Sequence, residues 1–359
     1  RFRTKGGRLM TSVARHFIGV DLHKKALQFC VLDDRGNLLH EQAVKIAPDA
    51  AGELVFASFQ PWRGTCRVAV EAVGMNRWFV NGLQARGYDV VVADPIKLNL
   101  KVLGKKTDKR DAREIARRLW LGDIDRDAKT WYPDDAVYGD RKLVRTRQQL
   151  MKHRLGLNNE IRAQLRAYNI SPPARDLHSK KGIAGLLEIQ MPNAVLTACL
   201  HALTRAMADI ETQIGTLTEQ IDKRVASDER LQRLQKQLPS MGAITTLTLV
   251  CELGDVHRFR NAKAIASSGG VVPRVYQSSD TAHHGRMTKR GSRSLRSVLG
   301  QWSVRLMARD DLVSAWSAPK KRRLHKNKVR MMLARKLLVG VAVSLRRGEP
   351  FDLQRCLGR

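Results

Sequence analysis

Between residues 17 and 135, short apolar runs alternate with segments of helical period, and each run stops at a turn residue or a charge. Phe17-Ile18-Gly19-Val20-Asp21 predicts a first strand. Residues 26–32 and 38–44 predict two more, joined by the turn Asp33-Asp34-Arg35-Gly36-Asn37. The Gly and Asn of that turn suit a hairpin, so the three runs are expected to form an antiparallel meander. Helical spacing over 48–59 follows, then a strand at 67–71, a helix at 76–86 and a strand at 90–93 ending at Asp94-Pro95. A hairpin-led sheet that continues into strand–helix–strand units is a mixed α/β layer.

From about residue 138 the pattern turns helical. Leu143, Leu150 and Leu157 recur at seven, Ile161 and Leu165 follow, and Ser171-Pro172-Pro173 stops the helix, because proline lacks the amide a helix interior needs. Leu196, Leu200, Leu203, Met207, Ile210, Ile214, Leu217 and Ile221 alternate in steps of four and three, an a/d seam over nearly four heptads. Two long helices joined by a Pro-rich turn predict a coiled-coil hairpin, or a seam for a second protomer in a dimer or tetramer. Beyond residue 238 lies a region rich in Gly, Ser and basic residues. There Pro239-Ser240-Met241-Gly242 leads into an apolar helix closing at Leu253-Gly254-Asp255. A Gly-containing turn at a helix N-terminus resembles the helix–hairpin–helix device, whose amides grip phosphate. The divisions expected are a basic extension at 1–16, with Met10 as the natural start, an α/β domain at 17–135, a helical hairpin at 136–237, a mainly helical domain at 238–318 and a basic tail at 319–359. That tail reads equally as an ordered helix or a flexible arm.

Charge changes the picture most. The 359 residues hold 65 Lys and Arg against 34 Asp and Glu, a net +31, which points to a polyanionic partner, nucleic acid first. Residues 286–347 alone carry 18 Lys and Arg and two acids, Asp310 and Asp311. No run approaches the ~20 apolar residues a bilayer demands, and the basic start has no apolar run of a signal peptide. The five cysteines, Cys30, Cys66, Cys199, Cys251 and Cys356, are odd in number, scattered and free of CxxC pairs, as expected in a reducing cytoplasm.

Four acids stand out as chemistry. Asp21 interrupts an apolar strand, which is costly unless its charge finds a partner. Glu71 ends the next apolar strand in the same way. Thr107 suits a helix cap, which sets Asp108 and Asp111 three apart on one face of the first turn. Acids are favoured there by the helix dipole alone, but Lys105, Lys106, Lys109, Arg110 and Arg113 crowd around them, as expected where metal and phosphate meet. Four oxygen donors suit Mg²⁺, with Mn²⁺ an alternative. Two such ions ~4 Å apart stabilise both the attacking and the leaving oxygen of phosphoryl transfer. The Arg- and Lys-studded 286–296 segment reads as a phosphate-contacting surface. Composition alone marks no serine as a nucleophile.

Taken in order, Gly19-Val20-Asp21, Val70-Glu71, Lys106-Thr107-Asp108-Lys109-Arg110-Asp111-Ala112, Met241-Gly242, Glu252-Leu253-Gly254-Asp255, Phe259, Val272-Pro273-Arg274, Ser278 and Lys289-Arg290-Gly291 resemble the DEDD-type insertion-sequence transposases, the family that includes Piv/MooV-like invertases and bridge-RNA-guided recombinases. The resemblance covers about 17–309. It implies a RuvC-like (ribonuclease-H-like) N-terminal domain, a coiled-coil insertion and a C-terminal transposase domain. It carries the metal-binding tetrad onto Asp21, Glu71, Asp108 and Asp111, and the family's nucleophilic serine onto Ser278. The family has glycine directly after that serine, where this chain has Ser279, so Ser279 stays open as the attacking residue. Contacts to nucleic acid are expected from Lys105, Lys106, Lys109, Arg110, Arg274, Arg286, Lys289, Arg290, Arg293 and Arg296. The partners implied are DNA, a structured guide RNA and further copies of the chain, on the nucleoid of a bacterium. Since tetrad and serine lie in separate regions, completion of the site between protomers is also implied. Two rivals stay open: a metal-dependent nuclease or junction resolvase using water, and a nucleic-acid scaffold without chemistry.

Overall fold

The apolar alternation of the first region becomes a five-stranded sheet. β1 (His16–Leu22), β2 (Ala26–Leu32) and β3 (Leu38–Lys45) form the expected antiparallel meander, and β4 (Cys66–Glu71) and β5 (Asp89–Ala93) extend it in parallel in the order β3-β2-β1-β4-β5. The computed structural model describes residues 14–47, 52–98, 107–278, 281–288 and 291–358, with the backbone alone at 274–278 and 281–286. The chain divides into two units, one ending at Tyr132 and the other beginning at Pro133.

In the first unit the helix predicted over 48–59, whose residues 48–51 lie outside the described ones, is present as a short helix, α1 (Glu53–Ala57), followed by a 3₁₀ turn at Gln60–Trp62. Pro61 inside that stretch removes an amide and ends the α-helical run. A parallel strand pair needs a crossover, and α2 (Arg77–Ala85) carries the chain from β4 to β5. α3 (Pro95–Leu98), α4 (Asp108–Trp120) and a π-helical turn at Ile124–Ala128 follow in the unit. One sheet face, with Ile18, Val20, Phe29, Val68 and Val70, packs on Phe56, Phe59, Phe79 and Leu83. The other face receives α4, which comes closest where residues are small: Gly19 meets Ala112 and Ala116, and Ala69 packs with Ile115 and Leu119.

A Cβ at Gly19 would fall well inside contact distance of the Ala116 amide nitrogen and the Ala112 carbonyl oxygen, backbone atoms that cannot step aside. Gly19→Val should therefore destabilise the unit by about 3 kcal/mol, the upper end for overpacking, read from a denaturant midpoint. A loss below ~0.5 kcal/mol, typical of surface changes, would mean that α4 does not lie on β1.

The second unit is helical apart from one hairpin. Its elements are α5 (Asp135–Ala167), α6 (Lys180–Glu188), α7 (Ala194–Ala226), α8 (Glu229–Gln237), α9 (Ala243–Leu253), α10 (Ala262–Ser268), β6 (Pro273–Ser278), β7 (Thr281–Met287), α11 (Arg293–Arg309), α12 (Asp311–Arg323), α13 (Lys326–Arg347) and α14 (Leu353–Leu357). Polar pairs fix α5 against α7: Asp140 with Arg224, Arg147 with Thr218, Arg154 with Glu211. One index rises by seven while the other falls by six or seven, the signature of an antiparallel pair in a single register. Along α7 every second seam position, Leu200, Met207, Ile214 and Ile221, is buried, while Leu196, Leu203, Ile210 and Leu217 are half-buried. The predicted stripe of α5 holds at Ile161 and Leu165, which are buried, and shifts before them: Leu143, Leu150 and Leu157 are half-buried and Val144 is buried. Leu177, Leu186 and Met191 close one end of the seam and Leu231, Leu247 and Cys251 the other, so the pair is built into a larger helical core.

The divisions predicted after residue 135 fall differently. Position 136 lies in the first turn of α5, and position 319 lies inside α12, with Pro319 within the helix. The predicted basic tail holds α13, whose Val329 is buried and whose Leu333, Leu337 and Val341 are fully buried in one core with Trp302. A four-residue apolar period hidden among cations makes it core. Among the described residues no helix is long and apolar enough to cross a membrane.

Candidate functional site: an acidic cluster where β1 and β4 end under α4

Strand register brings two acids side by side. β1 and β4 are parallel, with Gly19 opposite Ala69 and Val20 opposite Val70, so Asp21 and Glu71 follow at the same level. Alternation puts both on the face of Gly19 and Ala69, the face that α4 covers. Thr107 caps α4 as expected, its hydroxyl accepting from the Arg110 amide at 3.3 Å, and Asp108 and Asp111 occupy the first turn. With Ala112 seated on Gly19, the turn carrying the two acids stands over the end of β1.

The outcome is a cluster graded from dry to wet. Asp21 and Asp111 are buried, Glu71 is half-buried and Asp108 is exposed. Sequence reasoning did not single out His23. Its Nε2 lies 3.1 Å from Asp21 Oδ2 and 3.4 Å from Asp108 Oδ1, and one ligand atom from each of the three residues lies within 4.8 Å of the others. The signal was available, because the period of two carried one step past β1 sets residue 23 on the side of residue 21.

Burial pushes the Asp21 carboxyl above the ordinary carboxylate value. His23 pulls it back, and the charges of Asp108 and Asp111 push it up further. Carboxylates this close repel one another, a cation among them relieves the repulsion, and hard oxygen donors fit a divalent ion such as Mg²⁺ or Mn²⁺. The residues present therefore fit the metal that the resemblance implies.

The predicted cations fare unevenly. Lys109 Nζ sits 3.5 Å from Glu41 Oε2, and Arg113 Nη2 donates to the same carboxylate at 2.7 Å. The Arg113 hydrogen bond holds the Glu41 carboxyl below its usual range. These two cations are thus engaged with edge strand β3. Arg110 is exposed, whereas Lys105 and Lys106 lie outside the described residues.

In the second unit Ser278 is the last residue of β6 and pairs with Thr281 across the hairpin. Arg274 and Arg286 lie on its two strands, near the Pro273–Met287 end. Ser279, Lys289 and Arg290 lie outside the described residues. Gly291, at φ +95°, is pressed against the Ser267 and Ser268 carbonyls, where a side chain has no room. Ser292 then donates its amide to Ser268 at 2.9 Å and caps α11. Arg293, exposed, and Arg296, half-buried, occupy the first turn of α11, where the helix dipole disfavours cations.

Glu252, read from sequence only as part of a motif, is structural. Its buried carboxylate accepts from Arg145 Nε and Nη2 at 2.7 and 2.8 Å, and Arg141 donates to the Cys251 and Glu252 carbonyls. An acid inside an apolar helix announces such a partner as surely as Asp21 did.

Known proteins resemble the chain along the same segments. A DEDD family model described as a transposase matches residues 18–170, and the model of the transposase IS116/IS110/IS902 family matches residues 232–318. The transposase for insertion sequence element IS1111A of Coxiella burnetii is 25% identical over 79% of this chain and 75% of its own length. A probable family 20 transposase of Pseudomonas aeruginosa is 28% identical over 79% and 81%, and the transposase for insertion sequence element IS1328 of Yersinia enterocolitica 25% over 89% and 93%. With both family segments present in order and the acids of the first gathered under α4, the chain belongs to the IS116/IS110/IS902 family of transposases.

Proposed function

We propose that this transposase breaks and rejoins DNA through a serine–phosphate intermediate, with Asp21, Glu71, Asp108 and Asp111 holding Mg²⁺ or Mn²⁺ and Ser278 supplying the attacking hydroxyl. The observation that carries the reading is the buried Asp21 carboxyl, held against Asp108 and Asp111 at the cost of a raised pKa. A fold keeps such a strained group where charge of the opposite sign is to be bound. The divalent ion, when bound, supplies Lewis-acid polarisation of the scissile phosphate and favours the ionised hydroxyl.

The chain's own groups do the rest. The Ser278 hydroxyl loses its proton and attacks phosphorus. The new Ser–O–P bond replaces one phosphodiester bond to deoxyribose, whose oxygen leaves as a protonated hydroxyl. Attack by the hydroxyl of a second DNA strand reverses the step and frees the serine, so strands are exchanged without ATP. Arg274, Arg286, Lys289, Arg290, Arg293 and Arg296 hold phosphates, as do Lys105, Lys106 and Arg110, with Lys109 reaching outward from Glu41. Two arginines in the first turn of α11 support this, since cations placed against a helix dipole are stabilised by phosphate.

The resemblance to bridge-RNA-guided recombinases supports a structured RNA as a further partner, and the net charge of +31 suits either nucleic acid. Base pairing by that RNA would then select target and donor sequences. Assembly as a dimer or tetramer, and action on the bacterial nucleoid in the cytoplasm, belong to the same reading. A nuclease that uses water is the second reading, favoured by the fact that all four acids lie in the first unit without Ser278.

Strand exchange by the purified protein on its own insertion sequence tests the proposal. A chelator and, in a separate sample, ribonuclease should each stop the reaction. Mg²⁺ should restore the first sample and added RNA the second. Full activity in chelator would overturn the metal reading, and full activity after ribonuclease would remove the RNA from it.

A further inference from the structure

We infer that His23 is a nitrogen ligand of the metal held by Asp21 and Asp108, and that it turns the preference of the site from Mg²⁺ toward Mn²⁺. The inference rests on the metal reading above and adds a donor that the four-acid set lacks.

Backbone geometry fixes the residue first. His23 opens the turn between β1 and β2, and its amide donates to the Ala26 carbonyl at 2.9 Å, so its Cα cannot drift from the end of β1. Its side chain then brings one ring nitrogen to carboxylates of two different elements, Asp21 of β1 at 3.1 Å and Asp108 of α4 at 3.4 Å. A single imidazole nitrogen has one hydrogen or one lone pair to offer along its in-plane direction. It cannot serve two acceptors well at once. A cation lying between the three atoms satisfies all of them.

The spacing suits that arrangement. An octahedral ion with bonds of about 2.1 Å sets neighbouring ligand atoms about 3.0 Å apart. The two His23 distances are close to that edge, so small side-chain rotations form one triangular face of the coordination shell. The imidazole is about half exposed, 47% for its side chain, and Asp108 more so at 63%, which leaves the far side open to water and phosphate oxygens.

Ligand chemistry then decides the ion. Mg²⁺ demands oxygen donors and gives up water reluctantly, whereas imidazole suits transition ions. Carboxylates joined by one histidine make a site that takes either ion but gains from nitrogen only with Mn²⁺. Asp21 and Asp108 attract both ions, and His23 discriminates between them.

The test uses the full-length protein with Mn²⁺ and Mg²⁺ as probes, without DNA. Pulsed electron paramagnetic resonance on bound Mn²⁺ should show coupling to a directly bonded imidazole ¹⁴N, and His23→Gln should abolish it. In titrations His23→Gln should weaken Mn²⁺ binding about tenfold or more and leave Mg²⁺ within about twofold, with His23→Ala behaving alike. Thermal melts of both variants establish that they fold. Asp21→Asn serves as the reference and should lose both ions. If the parent binds Mn²⁺ in an Asp21-dependent way without ¹⁴N coupling, or if His23→Gln weakens both ions equally, His23 is only a hydrogen-bonding neighbour and the inference fails while the metal reading stands. If the parent binds neither ion, or Asp21→Asn binds both as the parent does, the metal reading falls and His23 falls with it.

Discussion

Asp21→Asn should lower strand cleavage by about 10³-fold or more, roughly 4 kcal/mol of transition-state stabilisation, while DNA affinity changes by less than about twofold. The substitution keeps the shape of the side chain of a residue that is 8% exposed and removes its charge. It should also raise the melting temperature of the metal-free protein. Burial, with Asp108 and Asp111 close by, penalises the ionised carboxylate, and asparagine escapes that penalty. Adding Mn²⁺ should reverse the order, stabilising the parent and leaving the variant unchanged, since a ligand stabilises only the state that binds it. Gel-based cleavage and a melting series with and without the ion check both halves. A variant that cleaves like the parent would leave a basic nucleic-acid binder without chemistry at this cluster.

Ser278→Ala should abolish the covalent protein–DNA adduct altogether and reduce strand exchange by at least about 10³-fold, the scale on which a lost nucleophile is felt. The substitution lies at the last position of β6, at the edge of the hairpin, so fold stability should change by no more than ~0.5 kcal/mol. Ser279→Ala should retain most of the adduct. Trapping on a nicked substrate, followed by protease digestion and mass analysis of the modified peptide, identifies the attacked residue directly. An adduct that survives Ser278→Ala and disappears with Ser279→Ala would move the nucleophile by one position. Cleavage without any adduct in the parent would instead favour water as the nucleophile.

Much of the first unit was legible in residue order. The run Phe17 to Asp21, the turn at Gly36-Asn37 and the two later apolar runs predict the meander and the parallel strands that the sheet contains, because strand alternation and turn chemistry are local properties. Thr107 announced its cap, and the three-residue spacing of Asp108 and Asp111 announced a shared face. Helical content after residue 138 was equally plain. What failed was the partitioning of that content. Ile161 and Leu165 are buried as their spacing predicts, but Leu143, Leu150 and Leu157 are half-buried and Val144 takes the core position among residues of α7, α8 and α9. The C-terminal segment was read from its charge as a tail, either an ordered helix or a flexible arm, and it is an ordered helix that belongs to the core. Its buried Leu333, Leu337 and Val341 are spaced as regularly as any core helix, but cations between them dilute the pattern.

Lys109 and Arg113 show the same limit at the site. Residue order places them beside two acids and suggests phosphate, whereas the fold brings Glu41 from strand β3 to meet both. His23 shows the converse, since strand alternation sets it on the side of Asp21, yet only the fold brings Asp108 of α4 within 3.4 Å of it.

The sequence alone determined the strands and helices, the polyanion-binding charge and the identity of the acids, because these follow from short-range periodicity, capping and composition. Only the tertiary structure decided which of those residues meet. The parallel register of β1 and β4, the seating of α4 on Gly19 and the approach of His23 to two carboxylates are long-range contacts, set by how closely two surfaces without side-chain bulk can pack.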